Sequence, residues 1–376
     1  MKIEVEPKRT DDLYCTPIIQ QTSFWSKVKH KQGVESRAFE FKAPNRELYV
    51  GVGGYSCTRA DLAIFLQYLG RRDCVAYVPY GPEIEPSEEN QGLFLEELSE
   101  ILRSYVPREC IALRYDLNWR SHWCEQSDYA SDGSWLGLPD KRYQEYQLNF
   151  NTVRGNLVKC NTDILPSNTI ILPLDGTEEE ILARMKPKTR YNIGLAERHE
   201  IRVRQLGFGD LAVWYSLYLE TAERNGLYIN DMGYFSSVLK AKMEASEGDD
   251  VQVRLLAAYS GSTPLAAMFL VLSSNRATYL YGASSSSGRN LMPTYALQWA
   301  AIRYARAAGC TEYDFFGISP VADPSHPMYG LYKFKRGFGG EVYHQMGCWD
   351  YPLVEDKYAL LQASEMNLQG YYAKSR

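Results

Sequence analysis

The sequence predicts an α/β protein with mixed sheets, built as two domains. Three observations carry this reading. The chain has 376 residues, long for one hydrophobic core. Strand-like apolar runs alternate with helix-period segments through about residue 165. After an aperiodic stretch, the alternation restarts near Thr169.

In order, Thr22 or Ser23 caps a helix with Trp25 and Val28 facing inward. Residues 48–54 read as a strand. Thr58-Arg59-Ala60-Asp61 opens a second helix, because Leu62, Phe65, Leu66 and Leu69 follow at helical spacing and Gly70 ends it. Residues 74–78 are strand-like, Leu95, Leu98, Leu102 and Tyr105 mark a helix, and residues 111–116 form a strand ending on Asp116. Residues 121–146 carry Gly, Pro, Ser and Asp without periodicity and read as a long loop.

The second half opens with a strand at 169–174, then Thr177-Glu178-Glu179-Glu180, a capping box for a short helix. A basic helix over 188–199, a strand over 201–205 and helices over 208–225 and 234–245 follow. Residues 251–259, the turn Ser260-Gly261-Ser262 and residues 265–272 form a hairpin. A strand at 277–283, a helix over 291–308 ended by Gly309 and a strand at 312–316 complete the pattern. In Tyr332-Lys333-Phe334-Lys335-Arg336-Gly337-Phe338, a period of two sets Tyr332, Phe334 and Arg336 against Lys333 and Lys335. That is a strand offering lysines to phosphate or to developing negative charge, or else a charged edge strand that resists aggregation.

A net charge of −5 argues against general coating of nucleic acid, although cations cluster from Arg184 to Arg204. Eight cysteines form no CxxC pair, so neither a zinc ribbon nor a redox pair is expected. Met1–Glu6 has no apolar core of a secretory leader, and the apolar run at 264–272 is too short to span a bilayer, so we expect a cytoplasmic protein. GxSxG, HExxH and Walker signatures are absent. Gly51-Val52-Gly53-Gly54 lacks the rest of a nucleotide fingerprint. Neither a metal nor a cofactor is expected.

Four places hold candidate chemistry: Trp25-Ser26-Lys27-Val28-Lys29, the carboxylate of Asp116 at its strand end, the serine run Ser284–Ser287 before a helix, and the Tyr332–Phe338 stretch. Each also has a plain structural reading as a solvated helix face, a capping Asp, a flexible loop or an edge strand.

Together these places resemble the Fem family of non-ribosomal peptidyltransferases, which use aminoacyl-tRNA to extend the side amine of the peptidoglycan stem peptide. The likeness runs in order through Phe24-Trp25-Ser26-Lys27-Val28-Lys29, Leu113-Arg114-Tyr115-Asp116, Lys188-Thr189-Arg190-Tyr191-Asn192-Ile193 and Ala222-Glu223-Arg224-Asn225-Gly226. It continues through Tyr279-Leu280-Tyr281-Gly282-Ala283-Ser284, Leu291-Met292-Pro293-Thr294-Tyr295, Asp314-Phe315-Phe316-Gly317-Ile318 and Leu331–Gly340.

The resemblance implies two equivalent acyl-CoA N-acyltransferase-like domains, 1–164 plus 347–376 on the acceptor side and 165–346 on the aminoacyl-tRNA side, with no coiled-coil arm. It implies that Lys29 contacts the diphosphate of a nucleotide-linked muropeptide and that Tyr234 and Tyr281 line the acceptor groove. Asp116 would stand near the acceptor amine, and Phe334 and Lys335 at the aminoacyl-tRNA end. Asn230 stands where the family holds an arginine, so a lipid-linked precursor such as lipid II is as consistent as a UDP-linked pentapeptide. Contact with the inner membrane face would follow from the former.

The implied chemistry needs no ATP or metal, because the ester is already activated. Asp116 would orient or deprotonate the amine, Lys335 stabilise the oxyanion or hold a terminal phosphate, and Phe334 stack on the terminal adenine. Two alternatives stay open: a tRNA-dependent ligase making a small peptide, and an acyl-CoA N-acyltransferase.

Overall fold

The computed structural model describes residues 3–42, 48–50, 55–57, 59–124, 137–226, 229–243 and 251–374. The chain divides into two compact units. The first comprises residues 1–14, 20–167 and 344–376, and the second residues 15–19 and 168–343.

The first unit begins with β1 (Glu4–Lys8), α1 (Ser23–Lys31), β2 (Glu35–Lys42), β3 (Leu48–Val50), β4 (Tyr55–Cys57) and β5 (Arg59–Tyr68). It continues with β6 (Cys74–Val78), β7 (Ile84–Glu85), α2 (Gln91–Leu102), β8 (Cys110–Arg120), α3 (Lys141–Asn149) and β9 (Val158–Lys159). The second runs through β10 (Asn168–Pro173), α4 (Glu178–Arg184), α5 (Pro187–Arg198), β11 (Arg202–Leu206), α6 (Leu211–Asn225) and α7 (Met232–Met243). Then come β12 (Gln252–Ser260), β13 (Thr263–Ser273), β14 (Arg276–Ser284), α8 (Pro293–Ala307), β15 (Glu312–Asp314) and α9 (Tyr329–Arg336). Strand β16 (Glu341–Pro352) and helix α10 (Glu355–Lys374) carry the chain back into the first unit.

Both units share one strand order, although its last member closes the first unit as β16 and opens the second as β10. In the first, the strands lie β1-β2-β5-β6-β8-β16, antiparallel except that β6 and β8 run parallel, joined through α2. In the second, the order β11-β12-β13-β14-β15-β10 repeats it, with β14 and β15 as the parallel pair joined through α8. A parallel pair needs a crossover, and a helix packed on one sheet face supplies it. Thus Phe94, Leu95, Leu98 and Leu102 of α2 bury against Ile64, Leu113 and Tyr115, while Leu297, Ala301 and Ile302 of α8 bury against Met268, Leu270 and Tyr313. No described helix is long and apolar enough to cross a membrane.

Four expectations need correction. The stretch from Arg59 is strand β5, not a helix. Ala60, Ala63 and Ile64 are as buried as Leu62, Phe65 and Leu66, because β5 lies between β2 and β6 with both faces covered. A strand buried on both faces loses its alternation and mimics helical spacing. The Tyr332–Phe338 stretch begins in helix α9 rather than in a strand. Helical winding sets Phe334, Lys335 and Phe338 on one face, where the two rings lie 5.3 Å apart. Strand β8 does not stop at Asp116. Leu117 and Trp119 are also buried, and pairing with β16 continues to Arg120. The expected loop over 121–146 contains α3 from Lys141, capped by Asp140; its 125–136 portion lies outside the described residues, as do residues 51–54 with their glycine cluster and 244–250 after α7.

Other expectations hold. Thr177 and Glu180 close the capping box of α4, and Gly261, in the left-handed region, makes the β12–β13 turn.

Candidate active-site residues

Asp116 sits inside β8, 1% exposed. Its Oδ2 accepts hydrogen bonds from the Tyr77 hydroxyl at 2.5 Å and the Leu165 backbone N–H at 3.0 Å. Oδ1 is buried and has no partner among the described residues. Burial pushes the carboxyl up to about 6 against these two donors and the nearby Cys348 thiol, and Asp163 adds to the rise. Such a group is mostly ionised at neutral pH yet basic enough to accept a proton.

The strand opposite is shaped around it. Asp116 pairs with Cys348, beside a register shift that sets the extra residue on β8 between Leu117 and Arg120, where Gly347 takes a left-handed backbone. The Cys348 N–H donates to Asp163 Oδ1 at 2.7 Å, and Lys159 Nζ donates to Asp163 at 3.2 Å and to the Cys348 carbonyl at 3.1 Å. Arg114 does not share the site. It grips Asp350 with two hydrogen bonds of 2.7 Å and Glu365 with another of 2.7 Å, fastening α10.

Lys29, in the same unit, is half-buried. Its ammonium lies 5.4 Å over the Trp25 ring and donates to Gln32 Oε1 at 3.1 Å, and burial lowers its pKa.

In the second unit, Tyr234 and Tyr281 meet hydroxyl to hydroxyl at 2.9 Å. Burial raises both phenols, and for Tyr281 the neighbouring Tyr234 adds to the rise. Behind them Trp214, Phe235 and Phe269 form a ring cluster. Asn230 is held by its backbone: its N–H donates to the Tyr218 hydroxyl at 3.2 Å, and its carbonyl accepts from Tyr215 at 3.3 Å.

Tyr279 and Tyr281, two apart on β14, ought to share a face. A bulge separates them, since Tyr279 pairs with Leu270 and Tyr281 with Phe269. Tyr281 therefore packs on the side of α6 and α7, and Tyr279 on the side of α8 and α9.

Lys335 projects inward from α9 and is 4% exposed. Its Nζ donates to the carbonyls of Phe316 and Gly317, each at 2.7 Å, and stands 5.3 Å over the Tyr279 ring. Burial pushes its pKa down to about 7, while the Asp314 charge opposes the shift. Phe316 adopts a left-handed backbone, so the lysine clamps a turn that a bulky residue disfavours. Two protons of the ammonium are committed, and a third is left for the aromatic face or a ligand oxygen. Phe334 packs edge-on against Tyr295 at 5.0 Å and Phe338 at 5.3 Å, and stays half-exposed.

The serine run is not an open anion cradle. The backbone N–H groups of Ser284, Ser285, Ser286 and Ser287 are taken by Thr221 Oγ1, the Leu265 carbonyl, Glu220 Oε1 and Ser285 Oγ. Arg224 adds a bond of 2.9 Å to the Ser284 carbonyl. Helix α6 thus ties the loop down.

The two units are mixed sheets of one strand order, each with one helix-bridged parallel pair. A sequence profile of the FemAB family matches residues 16–247 and 241–365, and the chain belongs to that family. The lipid II:glycine glycyltransferase of Staphylococcus epidermidis is 25% identical over 255 residues, covering 53% of this chain and 61% of the relative. That of Staphylococcus aureus is 25% identical over 260 residues, covering 53% and 62%. The chain thus spans about three-fifths of the length of these curated relatives. The crystal structure of FemX has the same fold, with a TM-score of 0.66 and 19% identity over 92% of this chain and 94% of that one.

Sequence reasoning missed Tyr77, which lies 39 residues before Asp116 and reaches it through the parallel β6–β8 pairing. It also missed that Lys335 binds backbone carbonyls.

Proposed function

We propose that this protein transfers an amino acid from aminoacyl-tRNA to the side-chain amine of a peptidoglycan stem peptide on a lipid- or nucleotide-linked precursor, building the interpeptide bridge. The observation that carries the proposal is Asp116: a buried carboxylate with one oxygen held by Tyr77 and Leu165, the other unpartnered, and an affinity for protons matched to neutral pH. Membership of the FemAB family and the glycyl transfer named for the curated relatives support the same reaction class.

The first unit handles the acceptor. Oδ1 of Asp116 receives the ammonium, orients it and takes its proton, leaving a neutral amine. The amine nitrogen forms a bond to the ester carbonyl carbon, the carbon–oxygen bond to the terminal ribose breaks, and the ribose oxygen leaves with a proton. The remaining proton passes to solvent. The second unit handles the donor. Lys335 fixes the Phe316–Gly317 turn and contributes positive charge to the aminoacyl end, where Phe334 offers a half-exposed ring to a base. Tyr234 and Tyr281 offer their paired hydroxyls to substrate, and Lys29 of the first unit attracts the diphosphate.

An acyl-CoA donor fits less well. Its pyrophosphate wants free amides before the helix, and those of Ser284–Ser287 are occupied. The reaction takes place in the cytoplasm, where charged tRNA is found, at the inner membrane face when the precursor is lipid-linked.

The test mixes purified protein with glycyl-tRNA and other charged tRNAs and with lipid-linked and nucleotide-linked muropeptides. Mass spectrometry should show an acceptor gaining one or more residues. Transfer from acetyl-CoA with none from any charged tRNA would overturn the reading.

A further inference from the structure

The first unit contains a cavity of about 500 Å³ whose lining includes none of the candidate residues described above. Three element ends converge on it. Glu85 closes β7, Gln91 opens α2, and Arg120 closes β8, and Glu88, Ser121 and His122 also stand in the wall. The volume falls in the usual range for small-molecule sites.

Its polar groups are arranged for a ligand. Gln91 and Ser121 are each 2% exposed. Gln91 donates its amide N–H to Glu85 at 3.2 Å, and its Oε1 is buried with no partner among the described residues. Ser121 Oγ is likewise buried without a partner among those residues. Buried orphan acceptors cost stability unless a donor arrives. Glu88 faces His122 at 3.6 Å. Burial pushes Glu85 up to about 7, opposed by the Arg120 backbone N–H and guanidinium. The wall therefore offers carboxylate, amide and hydroxyl oxygens to a donor, with the Arg120 guanidinium as the anion-binding group beside them.

We propose that this cavity binds a peptide-sized zwitterion, with its ammonium on Glu85, Glu88 and Gln91 Oε1 and its carboxylate on Arg120. One source is a free short peptide. The other is a muropeptide stem, which carries a side-chain amine and a free carboxylate. The inference does not rest on tRNA-dependent transfer, and binding is read without any reaction, so the two readings fail separately.

The experiment is calorimetry on the whole chain with L-alanyl-L-alanine, its N-acetyl form, its C-terminal amide and a nucleotide-linked muropeptide. At least one zwitterion should bind, and whether it is the dipeptide or only the muropeptide identifies the source. For the dipeptide, blocking either charge should weaken binding by about tenfold or more. For whichever zwitterion binds, Glu85→Gln and the exposed-site change Arg120→Gln should each do the same, with the circular dichroism spectrum unchanged. Absence of binding by both zwitterions, equal binding of a blocked dipeptide, or unchanged affinity in folded Arg120→Gln would overturn the proposal.

Discussion

At the residue scale, the buried Asp116 carboxyl costs stability at neutral pH. Its folded carboxyl titrates near 6 against an ordinary 3.8, because burial penalises the charge. Between those values the folded state binds more protons than the unfolded one. The group's contribution is therefore greatest below about pH 4 and is lost as pH rises through 6. The loss is on the order of 2–3 kcal/mol. Asp116→Asn can keep one oxygen for Tyr77 and Leu165 without the buried charge. It should raise Tm at neutral pH and flatten the dependence of Tm on pH between 4 and 7, as thermal unfolding across that range would show. The same change should lower kcat by roughly 10²–10⁴-fold with little change in acceptor KM. The acid limb of the rate profile, centred near 6 in the parent, should vanish; a larger effect on KM would make Asp116 a binding group instead. The opposite holds at Lys335. Lys335→Met leaves the Phe316 and Gly317 carbonyls without their donor, and each orphaned buried acceptor costs about 1–3 kcal/mol. Denaturant unfolding should show that loss alongside any loss of activity. A fully stable Lys335→Met protein would show that the turn does not need its clamp.

At the element scale, α9 depends on a close approach to α5. A Cβ on Gly337 would fall 2.4 Å from Thr189 Oγ1. Gly337→Ala should therefore cost about 1–3 kcal/mol of unfolding free energy. Thr189→Ala should recover much of the loss in the double variant, a coupling that a double-mutant cycle measures. This contact had no sequence signal, since the two residues are brought together only by packing. Elements with one solvated face were legible: the capping box of α4, the heavily apolar stripe of α2 and the β12–β13 hairpin all announce themselves locally. Strand β5 was not, because burial on both faces erased the alternation that identifies a strand. Helix α9 misled for the opposite reason. Its rings and cations alternate like a strand, and only the contacts of Phe338 and Lys335 decide the winding. Among the candidate residues, the sequence located Asp116 by its apolar flanks. Its setting came from Tyr77, Leu165 and Cys348, which three separate segments supply. Tyr279 and Tyr281 looked equivalent until the β14 bulge parted them.

At the scale of the whole molecule, the restart near Thr169 showed that the chain repeats a plan. It did not show that both units use one strand order, because a parallel pair is fixed by contacts far apart in sequence. Charge is also a property of the whole chain that hides a local exception. The net charge is −5, yet residues 186–204 carry six cations against two acids, and Lys186, Lys188, Arg190, Arg198, Arg202 and Arg204 are all exposed. Some are partly engaged at home: Arg190 donates to the Met185 carbonyl at 2.5 Å, and Arg198 lies 5.5 Å over the Tyr191 ring. Lys188 and Arg202, at the start of α5 and of β11, are the better probes of a phosphate contact. If this face receives the tRNA backbone, the double change Lys188→Glu and Arg202→Glu removes two phosphate contacts. Affinity for charged tRNA should then fall at low salt, and the slope of log affinity against log salt should shrink by roughly 1–2. Acceptor binding and Tm should stay as in the parent, because both side chains lie in solvent. Filter binding across a potassium chloride series measures the slope, and an unchanged slope would place the phosphate contacts elsewhere on the protein.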